Sequence, residues 1–168
     1  MDRRRAMFRY LLFAIAAIAA AVVATAEETH DTLPARVAIL PAEMGPALLH
    51  QCSRGVPAAD DFWTPSPEDV LAAEKALPHF MAHAKCHAPI HPVDEYIRQY
   101  VGITSGGRRL LYLNAVHFKI VDRMPGSGQQ LDWKVTPIIV CDGGTAFWGV
   151  DYDVAAKSFG KLACNGKV

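Results

Sequence analysis

The chain has 168 residues, its 17 Lys/Arg balanced by 17 Asp/Glu, and 51% of it is hydrophobic. That composition excludes a disordered chain and supplies no basic footprint for nucleic-acid binding, and the length suits a single domain with its own core.

Residues 1–26 have the three parts of a cleavable export signal. Arg3, Arg4, Arg5 and Arg9 make a basic opening, Leu11 to Val23 is an unbroken apolar run, and Ala24-Thr25-Ala26 fits the small-x-small cleavage rule, with the cut expected after Ala26. The run is shorter than the ~20 residues a membrane span needs, so no membrane insertion is expected once the signal is removed. Subtracting its four arginines and one aspartate from the 17 basic and 17 acidic residues leaves 13 against 16, a net charge near −3. Maturation in the periplasm or outside the cell then places Cys52, Cys86, Cys141 and Cys164 under oxidising conditions, where an even count pairs. Their spacing contains neither CxxC nor CxxCH, which excludes thioredoxin-type and c-type haem chemistry.

Residues 27–65 form an irregular lead-in rich in Pro and Ala, with one short apolar segment at Val37 to Leu40 and a helical turn expected near Ala47 to Gln51. The α+β domain proper is expected over 66–166. Ser66-Pro67-Glu68-Asp69 combines an N-cap hydroxyl, a proline at the first helical position and first-turn acids, so a helix starts here. Val70, Ala73, Leu77, Phe80, Met81 and Ala84 fall on one arc, with Glu68, Lys75, His79 and His83 opposite. Pro78 is expected to kink this helix and Pro89 to end it.

From Tyr96 the period becomes two. Ile97, Val101 and Ile103 alternate with Arg98 and Tyr100, Ser105-Gly106-Gly107 supplies a tight hairpin, and Leu110 to Phe118 is the returning strand. Asp122 to Asp132 reads as a loop, and Trp133 to Cys141 as a third strand weakened by Pro137. Phe147 to Tyr152 and Ser158 to Cys164 make a last hairpin. The pattern predicts one main amphipathic helix packed on a curved antiparallel sheet of four to five strands, a cystatin-like or NTF2-like shape.

Three cysteine connectivities are open. If the last three strands form a meander, Cys141 and Cys164 lie two strand spacings apart, about 9 to 10 Å, beyond the ~7 Å between Cα atoms that a disulfide tolerates. The favoured pairing is therefore Cys52 with Cys141 and Cys86 with Cys164.

Candidate chemistry is sparse. His79, His83, His87 and His91 recur four apart, and imidazoles at that spacing on one helix face can share a zinc or copper ion. The helix cannot pass Pro89, so His91 drops out and the candidate metal ligands are His79, His83 and His87. His117, Asp142 and Tyr112 form the acid/base set that a small NTF2-like enzyme would use in a sheet concavity. No HExxH or other convergent set appears, so no catalytic or cofactor-binding residue is expected beyond the zinc or copper of the histidine stripe. The preferred function is a non-enzymatic binding or envelope-associated domain with a protein partner. A metal binder and a small enzyme are the alternatives.

Gln51-Cys52-Ser53-Arg54, Phe62-Trp63-Thr64-Pro65, Gln99-Tyr100-Val101-Gly102-Ile103 and Val140-Cys141-Asp142-Gly143-Gly144 through Phe147-Trp148-Gly149-Val150-Asp151-Tyr152-Asp153 resemble a family of small exported proteobacterial proteins without an assigned activity. The likeness spans about residues 50 to 166 and implies export, with no reaction or cofactor attached. Gln99-Tyr100-Val101-Gly102 also resembles the QxVxG hairpin of the cystatins, but the glycine comes one residue early and inside a strand, so protease inhibition is not implied and only the shape is shared.

Overall fold

The computed structural model describes residues 32–121 and 131–166, so the expected signal over 1–26 and most of the loop expected at Asp122 to Asp132 lie outside the described residues. Among the described residues no helix is long and apolar enough to cross a membrane. The fold is α+β. Its strands are β1 (Val37–Ile39), β2 (Asp61–Trp63), β3 (Tyr96–Ser105), β4 (Arg108–His117), β5 (Phe147–Asp153), β6 (Ser158–Phe159) and β7 (Ala163–Cys164), and its helices are α1 (Gly45–Leu49), α2 (Pro67–Met81) and α3 (Phe118–Val121). They build one seven-stranded sheet in the order β1-β3-β4-β5-β6, with β2 also on β3 and β7 also on β5. The sheet is mixed rather than purely antiparallel, because β1 runs parallel to β3.

The hairpin of β3 and β4 is the centre of the sheet. Gly106 and Gly107 take φ of 55° and 76°, the left-handed pair that a two-residue turn matched to strand twist requires, and Tyr96 ends up opposite His117. Eight consecutive residues of each strand are buried, so the expected one-sided alternation gives way to burial on both faces. On one face Tyr100, Leu111, Leu113, Ala115, Trp148 and Val150 receive Val70, Ala73 and Leu77 of α2. On the other, Val101, Ile103, Leu110 and Tyr112 receive Leu40 and Leu48.

The segment expected to be an irregular lead-in is therefore structural. β1 pairs with Arg98 to Tyr100 and β2 with Gly102 to Thr104, filling successive lengths of the same edge of β3. Trp63 lies over Gly102 so closely that a Cβ there would meet its ring at 2.2 Å, which is why a glycine stands inside a strand. α2 begins as expected, with Ser66 Oγ accepting from Asp69 N at 3.2 Å, but it ends at Met81, well before Pro89.

The expected strand over Trp133 to Cys141 does not form. Residues 131–140 lie across the second face of the sheet, held by side-chain amides in place of a backbone ladder. Gln99 Nε2 donates to the carbonyls of Trp133 and Thr136, each at 2.7 Å, and Gln99 Oε1 accepts from Ile138 N at 2.9 Å. Asn114 Nδ2 donates to Ile138 O at 2.9 Å, and Asn165 Nδ2 donates to Val140 O. Pro137 has no N–H for a ladder, and this arrangement asks for none there.

Arg54 closes the network. The residue is 8% exposed, and its guanidinium donates to Asn165 Oδ1 at 2.7 Å, to Asn114 Oδ1 and to the Tyr112 hydroxyl. Among the described residues no carboxylate pairs with it. Two disulfides tie down the surroundings: Cys52 to Cys141 with Cα atoms 4.9 Å apart, and Cys86 to Cys164 with Cα atoms 6.1 Å apart. The pairing matches the one favoured above, although the meander used to reach it is absent: Cys141 sits in a bend and Cys164 on β7, which pairs with β5.

Arg54→Ala strands the acceptors of Asn114 and Asn165 in the interior, and an orphaned buried polar group costs 1–3 kcal/mol. A loss of roughly 3 kcal/mol is expected in urea unfolding, with the disulfides intact. Gln99→Leu is expected to release residues 131–140 first, seen as faster proteolytic cleavage there than anywhere in β3 or β4.

Candidate functional site

After α2 the chain passes Cys86 and reaches His91-Pro92, where the proline directs it into a tight 3-10 turn, Val93–Glu95, and straight into β3. Several donors fix this turn. Arg36 Nη1 donates to Asp94 O at 2.7 Å, and Arg98 Nη1 donates to the carbonyls of Val93 and Tyr96 at 2.8 and 2.9 Å. The Tyr96 hydroxyl accepts from His91 N at 3.3 Å and donates to Thr145 O at 2.7 Å, joining the turn to the segment before β5.

The turn brings His91 and Glu95 to one side, and the β3–β4 register brings His117 beneath them. His117 Nε2 lies 3.0 Å from Glu95 Oε2, and His91 Nδ1 lies 3.7 Å from the same oxygen. One donor atom from each of the three falls within 4.8 Å of the others, and among the described residues they form the one such group of three histidine, cysteine or carboxylate side chains. His117 is buried, Glu95 half-buried and His91 exposed, so the cluster is anchored at the sheet and open to water. His117 stacks on Phe118 with ring centroids 5.4 Å apart and meets His91 edge-on at 4.6 Å. The Arg36 guanidinium also lies over the Phe118 ring, 4.2 Å from its centroid.

His91 also lines a cleft of about 610 Å³ between α2 and the Ile90–Asp94 segment. Pro78, Met81, Ile90 and Val93 make it largely apolar, and Glu74 and Arg98 form its buried polar wall. Arg98 grips Glu74 through two parallel bonds, Nε to Oε1 at 2.8 Å and Nη2 to Oε2 at 2.9 Å, while the Tyr100 hydroxyl donates to Oε1 at 2.6 Å. Both carboxylate oxygens are thus occupied by donors of the fold itself, leaving Glu74 poorly placed as a general base. Burial pushes the Tyr100 phenol well above its ordinary range, and the Glu74 charge beside it adds to the effect.

The structure distributes the sequence candidates differently. His79 and His83 stand at the exposed end of α2 with ring centroids 5.1 Å apart, and the His83 ring N–H donates from Nδ1 to the His79 carbonyl at 3.0 Å. His87 Nε2 lies over Gly144 instead. His79, His83 and His87 are therefore not brought together as a three-donor group, because α2 ends before the stripe is complete. Tyr112 and His117 are five residues apart on one strand and face opposite sides of the sheet, and Asp142 is exposed in the bend after Cys141, so the acid/base set is not assembled either. Glu95 belongs to no motif in the sequence, and His91 lies beyond Pro89, outside the helical stripe. The retrievable signal was His91-x3-Glu95 astride a proline, a spacing that serves a turn as well as a helix.

No family model matches the chain, and no curated protein or solved structure matches it.

Burial raises Tyr96 and Tyr112 as it does Tyr100, for Tyr112 despite the Arg54 guanidinium bonded to its oxygen. In the unfolded chain these phenols ionise near pH 10, whereas the fold keeps them neutral to higher pH. Their contribution is complete below about pH 10 and is lost as pH rises toward the folded values. Alkaline titration is expected to show tyrosinate absorbance from these residues appearing together with the loss of near-ultraviolet circular dichroism, and Tyr100→Phe is expected to shift that transition upward.

Proposed function

We propose that this chain is an exported domain of the periplasm or the extracellular space that works by binding rather than by turnover, taking an apolar side chain of a protein partner into the cleft between α2 and Ile90–Asp94. Two disulfides suit an oxidising compartment. The observation that carries the proposal is the state of the cleft wall. Arg98, Glu74 and Tyr100 satisfy one another, while Met81, Ile90 and Val93 present apolar surface to whatever enters. A wall of that kind favours desolvating a ligand over transferring protons to it. The small-enzyme alternative gains no support from the separated positions of Tyr112, His117 and Asp142, and the metal alternative shifts away from His79, His83 and His87.

A photo-crosslinking residue placed at Met81 in the exported protein, in cells of the natural host, tests this. A discrete adduct is expected from position 81 and not from Lys157 on the exposed β5–β6 turn, and Ile90→Asp is expected to reduce it at least severalfold while the protein remains folded. Identical adducts from both positions, free thiols in the native exported product, or turnover of a hydrolase or transferase substrate abolished by Glu74→Gln would each overturn the proposal.

A further inference from the structure

We propose that His91, Glu95 and His117 form a mononuclear site for a borderline divalent transition ion, zinc(II) or copper(II). The inference does not rest on the cleft's partner, since the three residues converge whether or not anything enters beside them.

The geometry is close to what such an ion needs. A tetrahedral zinc ion with bonds of about 2.0–2.1 Å holds its ligand atoms about 3.3 Å from one another. Here His117 Nε2 and His91 Nδ1 lie 3.0 and 3.7 Å from Glu95 Oε2, and all three atoms fall within 4.8 Å. Closing around an ion therefore takes a small movement of His91, the most exposed of the three, with a side chain 54% accessible. The other two are held: His117 by its place at the end of β4 and its stacking on Phe118, Glu95 by a turn that Arg36 and Arg98 pin through their bonds to Asp94 and Val93 carbonyls.

Two imidazole nitrogens and one carboxylate oxygen select borderline ions over magnesium and calcium, which prefer all-oxygen shells. Three protein ligands leave a fourth position, which the exposure of His91 opens toward water and the adjoining cleft. Without metal, the proton of His117 Nε2 lies between that nitrogen and Glu95 Oε2. When the ion binds, metal–nitrogen and metal–oxygen bonds replace this hydrogen bond, and the ring takes its other tautomer, the proton passing through solvent from Nε2 to Nδ1 so that a neutral imidazole ligates the ion.

The test uses the untagged, oxidised, exported protein, titrated calorimetrically with zinc chloride, copper(II) chloride and magnesium chloride in separate runs. One equivalent of zinc or copper is expected to bind and magnesium not to bind, with cobalt(II) giving the visible spectrum of a tetrahedral site. His91 lies on the surface, so His91→Asn is expected to leave the fold intact and to weaken binding about tenfold or more, as is Glu95→Gln. The double variant His79→Asn with His83→Asn is expected to bind as the parent does. Absence of saturable zinc or copper binding, or binding that survives His91→Asn and Glu95→Gln but is lost in the His79/His83 variant, would overturn the site. Neither result depends on the crosslink from Met81, so the two proposals fail separately.

Discussion

Arg54 is a full positive charge held 8% exposed by neutral acceptors, and the second face of the sheet is organised around it. Taking a guanidinium out of water is costly unless its donors are met, and here the hydroxyl of Tyr112 and the amide oxygens of Asn114 and Asn165 meet them. Each amide then has an N–H₂ end pointing onward. Asn114 passes to Gln99 Oε1 at 3.0 Å and to Ile138, and Asn165 passes to the carbonyls on either side of Cys141. One buried charge thus fixes the path of residues 131–140 and of the tail, and the Cys52–Cys141 bond ties the segment that carries Arg54 covalently to the end of that path.

The two faces of the β3–β4 hairpin illustrate different ways of covering a sheet. Toward α2 the contact is made by aromatic and aliphatic side chains against a helix stripe, with Arg98, Glu74 and Tyr100 as a single polar triad at its edge. On the other face Leu40 and Leu48 cover one part, and over the rest the cover is the irregular 131–140 segment, whose N–H and C=O groups find no helix or ladder partners. Buried backbone groups must be paired, and side-chain amides supply what regular structure would have supplied. The candidate site lies where the two regimes meet, at the end of β4, where a tight turn and a strand terminus converge on His117.

The amphipathic stripe from Val70 to Leu77 and the Ser66 cap were legible because they are local, as were Gly106 and Gly107, whose positive φ only a turn explains. A three-donor cluster is another matter. Glu95 stands beside His117 only because Tyr96 pairs with His117 across the hairpin, and nothing within either segment announces that meeting. The stripe at His79, His83 and His87 was the more visible pattern, yet α2 stops at Met81 and the spacing loses its meaning once the helical period ends.

The amino-acid sequence on its own determined the elements whose causes lie within a few residues: the capped amphipathic helix, the glycine hairpin and an even set of cysteines suited to oxidation. Only the tertiary structure decided that β1 joins parallel, that Trp133 to Cys141 crosses the sheet instead of extending it, and which histidines gather with Glu95. Those outcomes are set by partners far apart in the chain: Gln99 and Asn114 bonding to 133–138, Arg36 and Arg98 pinning the turn before β3. Pairing of that kind leaves no periodic trace, because it depends on where side chains arrive in space and not on how they follow one another.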